Sequence, residues 1–438
     1  MGITHPLKQL VRVQKMGIAK GAYSACSANE YVIEAVLQRA LASDMYVYIE
    51  ATANQVNQFG GYTNMTPFNF RDFVYSIAGK LNFPIERIIL GGDHLGPLTW
   101  KNEKSEIAME KSIQLIKQYV SAGFSKIHID TSMHLADDNP GTRLDTRIIA
   151  ERSAILCQAA QDAYAELCLQ KPNTLEPVYV VGSEVPIPGG SQEAETVQVT
   201  KPEDFEETVD TFKRFFSQKG LDGAWENVVA VVVQPGVEFG DEIIHEYNPS
   251  NARALCNSLK QYPQLVFEGH STDYQTPGAL RQMVEDGIAI LKVGPALTFA
   301  LREGLFALNY IENELFKYDT SKRLSNFIDV LDNTMVKNRD NWEKHYHGSD
   351  DIIRLARKYS LSDRARYYLP LREVRDALEL MLHNVNSVKI PLTLISEYMP
   401  KQYTKIRNGI LKNSPEELFK DRIVNCIDDY IYAISPNI

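Results

Sequence analysis

The sequence predicts a (β/α)8 barrel, and three observations carry that expectation. Short apolar runs recur along most of the chain, with amphipathic stretches between them. Polar, chemistry-bearing residues stand at the C-terminal end of nearly every run, where this fold builds its active site. The chain's 438 residues are enough for one barrel and an extension, since such a barrel needs about 250 residues.

The apolar runs occupy residues 21–26, 46–52, 87–92, 126–131, 178–184, 228–234, 265–270 and 288–293. Several are dense in β-branched residues, as from Val228 to Val233, which suits a parallel sheet buried on both faces. Asn29 is placed to cap a helix through Val32, Ala35, Val36 and Leu37. Helical spacing continues over 67–81, 105–122, 145–169, 202–219, 249–260 and 275–286, and residues 301–316 read as the eighth barrel helix. Eight alternations favour a closed barrel over an open doubly wound sheet. No GxGxxG follows the first run, which leaves a dinucleotide-binding fold without support. The expected division is a barrel domain over 1–316 and a helical C-terminal extension over 317–438.

Composition excludes several function classes. The formal net charge is −10, and nucleic acid or anionic membrane as main partner would call for basic patches. No apolar run reaches membrane-spanning length, and Met1 to Pro6 lacks the apolar core of a signal peptide. The five cysteines are scattered and form no CxxC pair, so neither a disulfide framework nor a cysteine zinc site is expected. A reducing cytoplasm is the expected location.

The run ends supply the candidate chemistry: Ser24 and Cys26 on the first, Glu50, Thr52 and Asn54 on the second, Asp93 and His94 on the third. His128, Asp130 and Ser132 end the fourth, Glu184 the fifth (before Pro186-Ile-Pro-Gly-Gly190) and Gln234 the sixth. Glu268, His270, Ser271 and Asp273 end the seventh, and Lys292 the eighth. Any one acid here can be a helix cap; the set converges on one mouth. Alternation puts His128 with Asp130, and Glu268 with His270, on shared faces. Histidine with carboxylate suits Zn²⁺ or Mn²⁺, and His94, Asp130, Glu184 and His270 are the expected ligands. Asp93, Glu50, Glu268 and Lys292 are the catalytic candidates, Lys292 either as a Schiff-base amine or as an ion-pair partner. Asp93 is either a proton acceptor or the orienter of His94. Asn54 and Gln55, in a polar loop, either bind sugar hydroxyls or brace the loop. Ser271 and Asp273 are further substrate contacts. Arg364 and Arg366 either reach over the mouth to a phosphate or form structural ion pairs.

Nearly the whole chain resembles the family of the so-called non-catalytic subunit of class II D-tagatose-1,6-bisphosphate aldolase. The resemblance rests on Cys26-Ser-Ala28, Ile49-Glu-Ala-Thr52, Asn54-Gln-Val-Asn-Gln-Phe-Gly-Gly-Tyr-Thr63, Gly91-Gly-Asp-His-Leu-Gly-Pro97, Gly123-Phe-Ser-Lys-Ile-His128, Val233-Gln-Pro-Gly-Val-Glu-Phe239, His270-Ser-Thr-Asp-Tyr-Gln275, Leu291-Lys-Val-Gly-Pro295 and Tyr359-Ser-Leu-Ser-Asp-Arg364. It implies a ketohexose or its phosphate as substrate, C4 epimerisation of tagatose and fructose as the activity, and a divalent metal. The alternative it implies is a stabilising subunit for a catalytic aldolase. Assembly into a homo-oligomer is the further expectation. Ala53 and His134 depart from the family's usual residues near the mouth. Asp93-His94 resembles the acid-base Asp and first zinc histidine of the catalytic class II aldolases; the other two zinc histidines are replaced, at Gln234-Pro235 and Glu268.

Overall fold

The computed structural model describes residues 4–141, 143–185 and 197–435. Eight parallel strands close a barrel in which each pairs with its sequence neighbours, and the first with the last. They are β1 (Ala22–Cys26), β2 (Val47–Thr52), β3 (Ile88–Leu95), β4 (Lys126–Ile129), β5 (Val178–Val181), β6 (Val228–Val233), β7 (Val266–Gly269) and β8 (Ile288–Val293). A short antiparallel hairpin, Glu238–Phe239 with Ile244–His245, follows β6. Residues 186–196, which include the expected Pro186-Ile-Pro-Gly-Gly190, lie outside the described residues.

Helices Glu30–Ala40, Pro67–Leu81, Ser105–Ser121, Thr146–Gln170, Pro202–Gln218, Pro249–Ser258, Pro277–Glu285 and Pro295–Phe316 follow the strands in turn. Asn29 caps the first, its side chain accepting from the amides of Tyr31 and Val32, which satisfies two donors that the helix leaves free. The last of the eight starts at Pro295, six residues before the expected 301. Proline fits the first helical position, so residues that read as a loop are already helix.

The barrel interior is layered. Its floor is apolar: Tyr48, Ile89, Val178, Val266 and Ile290 meet Leu7, Leu10 and Val11. Those three belong to an N-terminal helix, Pro6–Lys15, which plugs the bottom and which the apolar spacing did not announce. Above the floor lies a charged layer, Glu50, Lys126, Glu268 and Lys292, all buried.

From Phe327 onward every regular element among the described residues is helical. This part shares one apolar cluster with the barrel, from Tyr23 and Val36 through Leu301 to Phe419 and Tyr430. The last helix, Pro415–Ile434, packs on Glu30–Ala40, Pro277–Glu285 and Pro295–Phe316, and so joins the outer ring.

Candidate active site

A cavity of about 760 Å³ opens at the C-terminal ends of the strands. Its floor is set by a departure from regular geometry in β3. The register slips between Gly92 and Leu95, and His94 adopts the left-handed backbone, φ 48°. Such a bulge re-aims side chains that would otherwise alternate, so the consecutive Asp93 and His94 both reach the cavity. Glycine is required nearby for room. A Cβ on Gly91 would lie 2.5 Å from Glu50 Cγ, and one on Gly96 would lie 1.8 Å from the carbonyl oxygen of Asp130.

Three imidazoles converge there from β3, β4 and β7. The rings of His94, His128 and His270 stand 4.9–5.0 Å apart, each against the other two. Each has one nitrogen engaged by a different carboxylate. His94 Nδ1 lies 2.8 Å from Asp130 Oδ2, His128 Nδ1 lies 2.9 Å from Asp93 Oδ1, and His270 Nε2 lies 2.9 Å from Glu268 Oε1. A carboxylate on one ring nitrogen favours the tautomer that presents the other as a lone pair, the usual support of a metal-ligating histidine; at His128 the His94 amide also points at Nδ1, from 3.2 Å. His128 Nε2 is buried with no hydrogen-bond partner among the described residues. Ligand atoms of Asp93, His94, His128 and His270 all lie within 4.8 Å of one another. The residues therefore fit a divalent cation, with nitrogen and oxygen donors of the kind zinc and manganese accept.

The charged layer beneath holds this group in place. Lys126 lies 2.7 Å from Glu50 and 2.6 Å from Glu268. Lys292 pairs with Glu50 and lies 2.8 Å from Asp93. Burial pushes against charge at Asp93, yet Lys292, His94 and His128 outweigh it and hold the carboxyl well below its ordinary range. Glu268 is likewise held low, by Lys126 first. Burial lowers His270 to about 4, leaving it neutral. Against burial, Asp93 and Asp130 raise His94. Lys292 is raised well above its usual value by Asp93 despite its burial, so it stays an ammonium ion engaged with two acids; the geometry is that of an ion pair.

The structure thus brings together Asp93, His94, His270 and Lys292, and sets Glu50 and Glu268 behind them. Asp130 lies one step out from the expected ligand set, orienting His94 and accepting from Ser132 Oγ at 2.7 Å. Glu184 is not in the imidazole cluster; it pairs with Arg143 at 2.8 Å, both side chains partly exposed. Gln234 turns back on its own loop, its Oε1 accepting from the amides of Gly236 and Val237. His128, noted at the end of the fourth run, was not among the expected ligands, and Lys126 was not among the expected site residues. Their signal was available: alternation puts 126 and 128 on one face of β4.

Asn54, Gln55, Ser271, Asp273 and Arg366 line the cavity. Gln55 also braces its loop, its Oε1 accepting from the Thr52 amide. Arg364 turns away, donating to the Asn341 carbonyl at 3.1 Å. Arg366 donates to the carbonyls of Ser362 and Asp363 and to the Tyr367 hydroxyl. The strap that carries it is latched down by Asp241, which accepts from Ser360 and Ser362, and by Asp363, which accepts from Arg302 and Thr298. Tyr62 and Tyr367 meet edge to face at 4.9 Å across the mouth.

The family profile "D-tagatose-1,6-bisphosphate aldolase subunit GatZ/KbaZ-like" matches residues 7–435. The chain belongs to this family. It is 47% identical over 433 residues to the D-tagatose-1,6-bisphosphate aldolase subunit GatZ of Salmonella dublin, covering 99% of this chain and 100% of that one. The GatZ subunit of Salmonella gallinarum is similar to the same degree. Among solved structures, a probable tagatose 6 phosphate kinase from Sinorhizobium meliloti superposes with TM-score 0.86 at 42% identity, over 95% of this chain and all of that one. No helix among the described residues is long and apolar enough to cross a membrane.

Proposed function

We propose that this chain carries out metal-assisted aldol chemistry on a ketohexose or its phosphate, interconverting tagatose and fructose forms by epimerisation at C4. The observation that carries the reading is the three-imidazole cluster, each ring oriented by its own carboxylate, beside an ionised Asp93 at the floor of the cavity. A group without chemistry to perform has no need of so many buried charges, which are costly unless paired.

Tagatose and fructose differ only at C4, which is not adjacent to the C2 carbonyl. Direct proton exchange at C4 is therefore unfavourable. Breaking C3–C4 is the shorter route. A divalent cation held by His94, His128 and His270 would supply Lewis acidity to the substrate's oxygens. Asp93 takes the proton of the C4 hydroxyl as that carbon becomes an aldehyde, and the C3–C4 electron pair passes toward the C2 carbonyl. The aldehyde turns, the bond re-forms on its other face, and Asp93 returns the proton. Lys292 keeps Asp93 charged and fixed between turnovers. Ser271, Asn54 and Gln55 offer contacts to the substrate's hydroxyls. The five free cysteines accord with the reducing cytoplasm read from the sequence.

A second reading is favoured by the relatives' names: a subunit that stabilises a catalytic aldolase. The purified chain alone separates the two when supplied with tagatose, fructose and their 6-phosphates, with and without a strong chelator. Chelator-sensitive interconversion supports the first reading, and its absence in metal-loaded protein leaves the second. In an active chain, Asp93→Asn keeps an acceptor for His128 Nδ1 but removes the base. Turnover falls by about 10²–10⁴-fold, with metal content unchanged.

A further inference from the structure

Barrels of this fold commonly seat a substrate phosphate between the loops after the seventh and eighth strands, at a helix N-terminus. Free amides and the positive end of the helix dipole attract the anion there. In this chain that seat is already filled. Asp273, from the loop after β7, places Oδ1 at 3.0 Å from the Gly294 amide and 2.8 Å from the Ala296 amide, the first donors of helix Pro295–Phe316. Asp273 is 3% exposed and borders the cavity. Oδ2 makes no hydrogen bond to any other described residue.

The loop is held so that this carboxylate stays put. Thr272 Oγ1 donates to the Lys292 carbonyl at 2.6 Å, and the Tyr430 hydroxyl donates to the Thr272 carbonyl at 2.9 Å. Ser271 and Tyr274, on either side, both take the left-handed backbone, φ 53° and 64°. Arg366, the strap's cavity-lining cation, donates to two carbonyls and a tyrosine hydroxyl. An incoming phosphate would thus meet a buried negative charge and occupied amides. A neutral hydroxyl would find an acceptor.

We infer that Asp273 turns the phosphate seat between β7 and β8 into a hydroxyl subsite, so that the end of the ketose lodged there is unphosphorylated and a ketose 1,6-bisphosphate is excluded. This rests on the ketose reading of the cavity, but the seat can be tested apart from it.

The experiment measures calorimetric binding to the full, metal-loaded chain and to Asp273→Ser and Asp273→Asn. The probes are inorganic phosphate, tagatose and tagatose 1,6-bisphosphate. Wild type is expected to bind tagatose at least about 10-fold more tightly than the bisphosphate, a factor of the size that charge at a helix terminus commands. Asp273→Ser empties the seat, and inorganic phosphate affinity rises by about 10-fold or more. Asp273→Asn keeps the shape and the acceptor for both amides but removes the charge, so bisphosphate affinity rises even if the serine variant misfolds. Bisphosphate binding to wild type as tightly as tagatose overturns the inference, as does a failure of both variants to gain affinity for phosphate groups. Wild type that binds no ketose at all refutes the ketose reading instead, while the inorganic phosphate arm still reports on the seat.

Discussion

Replacing Lys126 with methionine isolates what the charged layer does for the imidazoles above it. Lys126 is wholly buried and lies 2.7 Å from Glu50 and 2.6 Å from Glu268. Without it Glu50 still has Lys292, but Glu268 keeps His270 and the more distant charge of Lys292. Removing one member of a buried ion pair costs about 3–5 kcal/mol, because the other charge is left without a partner. Methionine is of similar length, so little is added for a void. The stranded Glu268 escapes its charge by taking up a proton. It then donates to Nε2 of His270, which moves the ring hydrogen to Nδ1 and removes the lone pair from the cluster. Metal affinity therefore falls by about 10–100-fold, the usual effect of losing such an outer partner. The assays are urea denaturation and a metal titration against a chromophoric chelator. Lys126→Met/Glu268→Gln should recover much of the metal affinity, since the amide oxygen again accepts from Nε2–H. A stability loss below about 1 kcal/mol together with unchanged metal affinity in Lys126→Met would refute this account of the layer.

Three further outcomes follow from the same geometry. His128→Ala removes one of three imidazoles, and metal affinity measured by the same titration should drop by at least about 100-fold; an intact affinity means that His128 is no ligand. Gly96→Ala sets a methyl 1.8 Å from a backbone oxygen of Asp130, where nothing flexible can yield. The denaturation midpoint should fall by the equivalent of about 3 kcal/mol, and metal affinity with it, because Asp130 orients His94. His5, which caps the plug helix, is lowered by burial to about 3 from 6.5. Its neutral form is favoured in the folded state, so its stabilising share is complete above pH 6.5 and is lost as pH falls toward 3, by about 1.4 kcal/mol per pH unit. His5→Asn keeps a capping oxygen and does not titrate, so wild type should lose stability relative to it over that window; parallel curves would contradict the assignment.

The barrel was legible because a parallel sheet buried on both faces writes itself as unbroken apolar runs such as Val228–Val233. The helix caps were legible for a similar local reason, as at Asn29. The plug helix was not, since only three of its residues face the floor and its cap is a histidine. The site divided along the same line. Asp93, His94, His270 and Lys292 stand at strand ends, where position alone marks them. Lys126 opens its strand and reads as a boundary charge; that it is buried depends on acids from β2 and β7, whose proximity no local pattern contains. Asp130 and His128 share a face in an ideal strand, but Asp130 lies past the end of β4 and its carboxylate turns to His94, which stands on the irregular end of β3. Glu184 carried the right chemistry at a strand end but met Arg143 instead.

The helix that completes the outer ring stands nearly four hundred residues after the strand it covers. Pro415–Ile434 lies against the first strand and the first barrel helix, with the Ile434 carbonyl accepting from the Gly21 amide. During synthesis, β1 waits for its partner β8 until residue 293 has been made, and for its covering helix until residues 415–434 follow. One edge of β1 pairs early with β2 while the other stays open until β8 arrives, so the nascent barrel carries an open seam. Such seams of unpaired backbone invite pairing with other chains, and a variant lacking the helix Pro415–Ile434 would leave β1 without its cover.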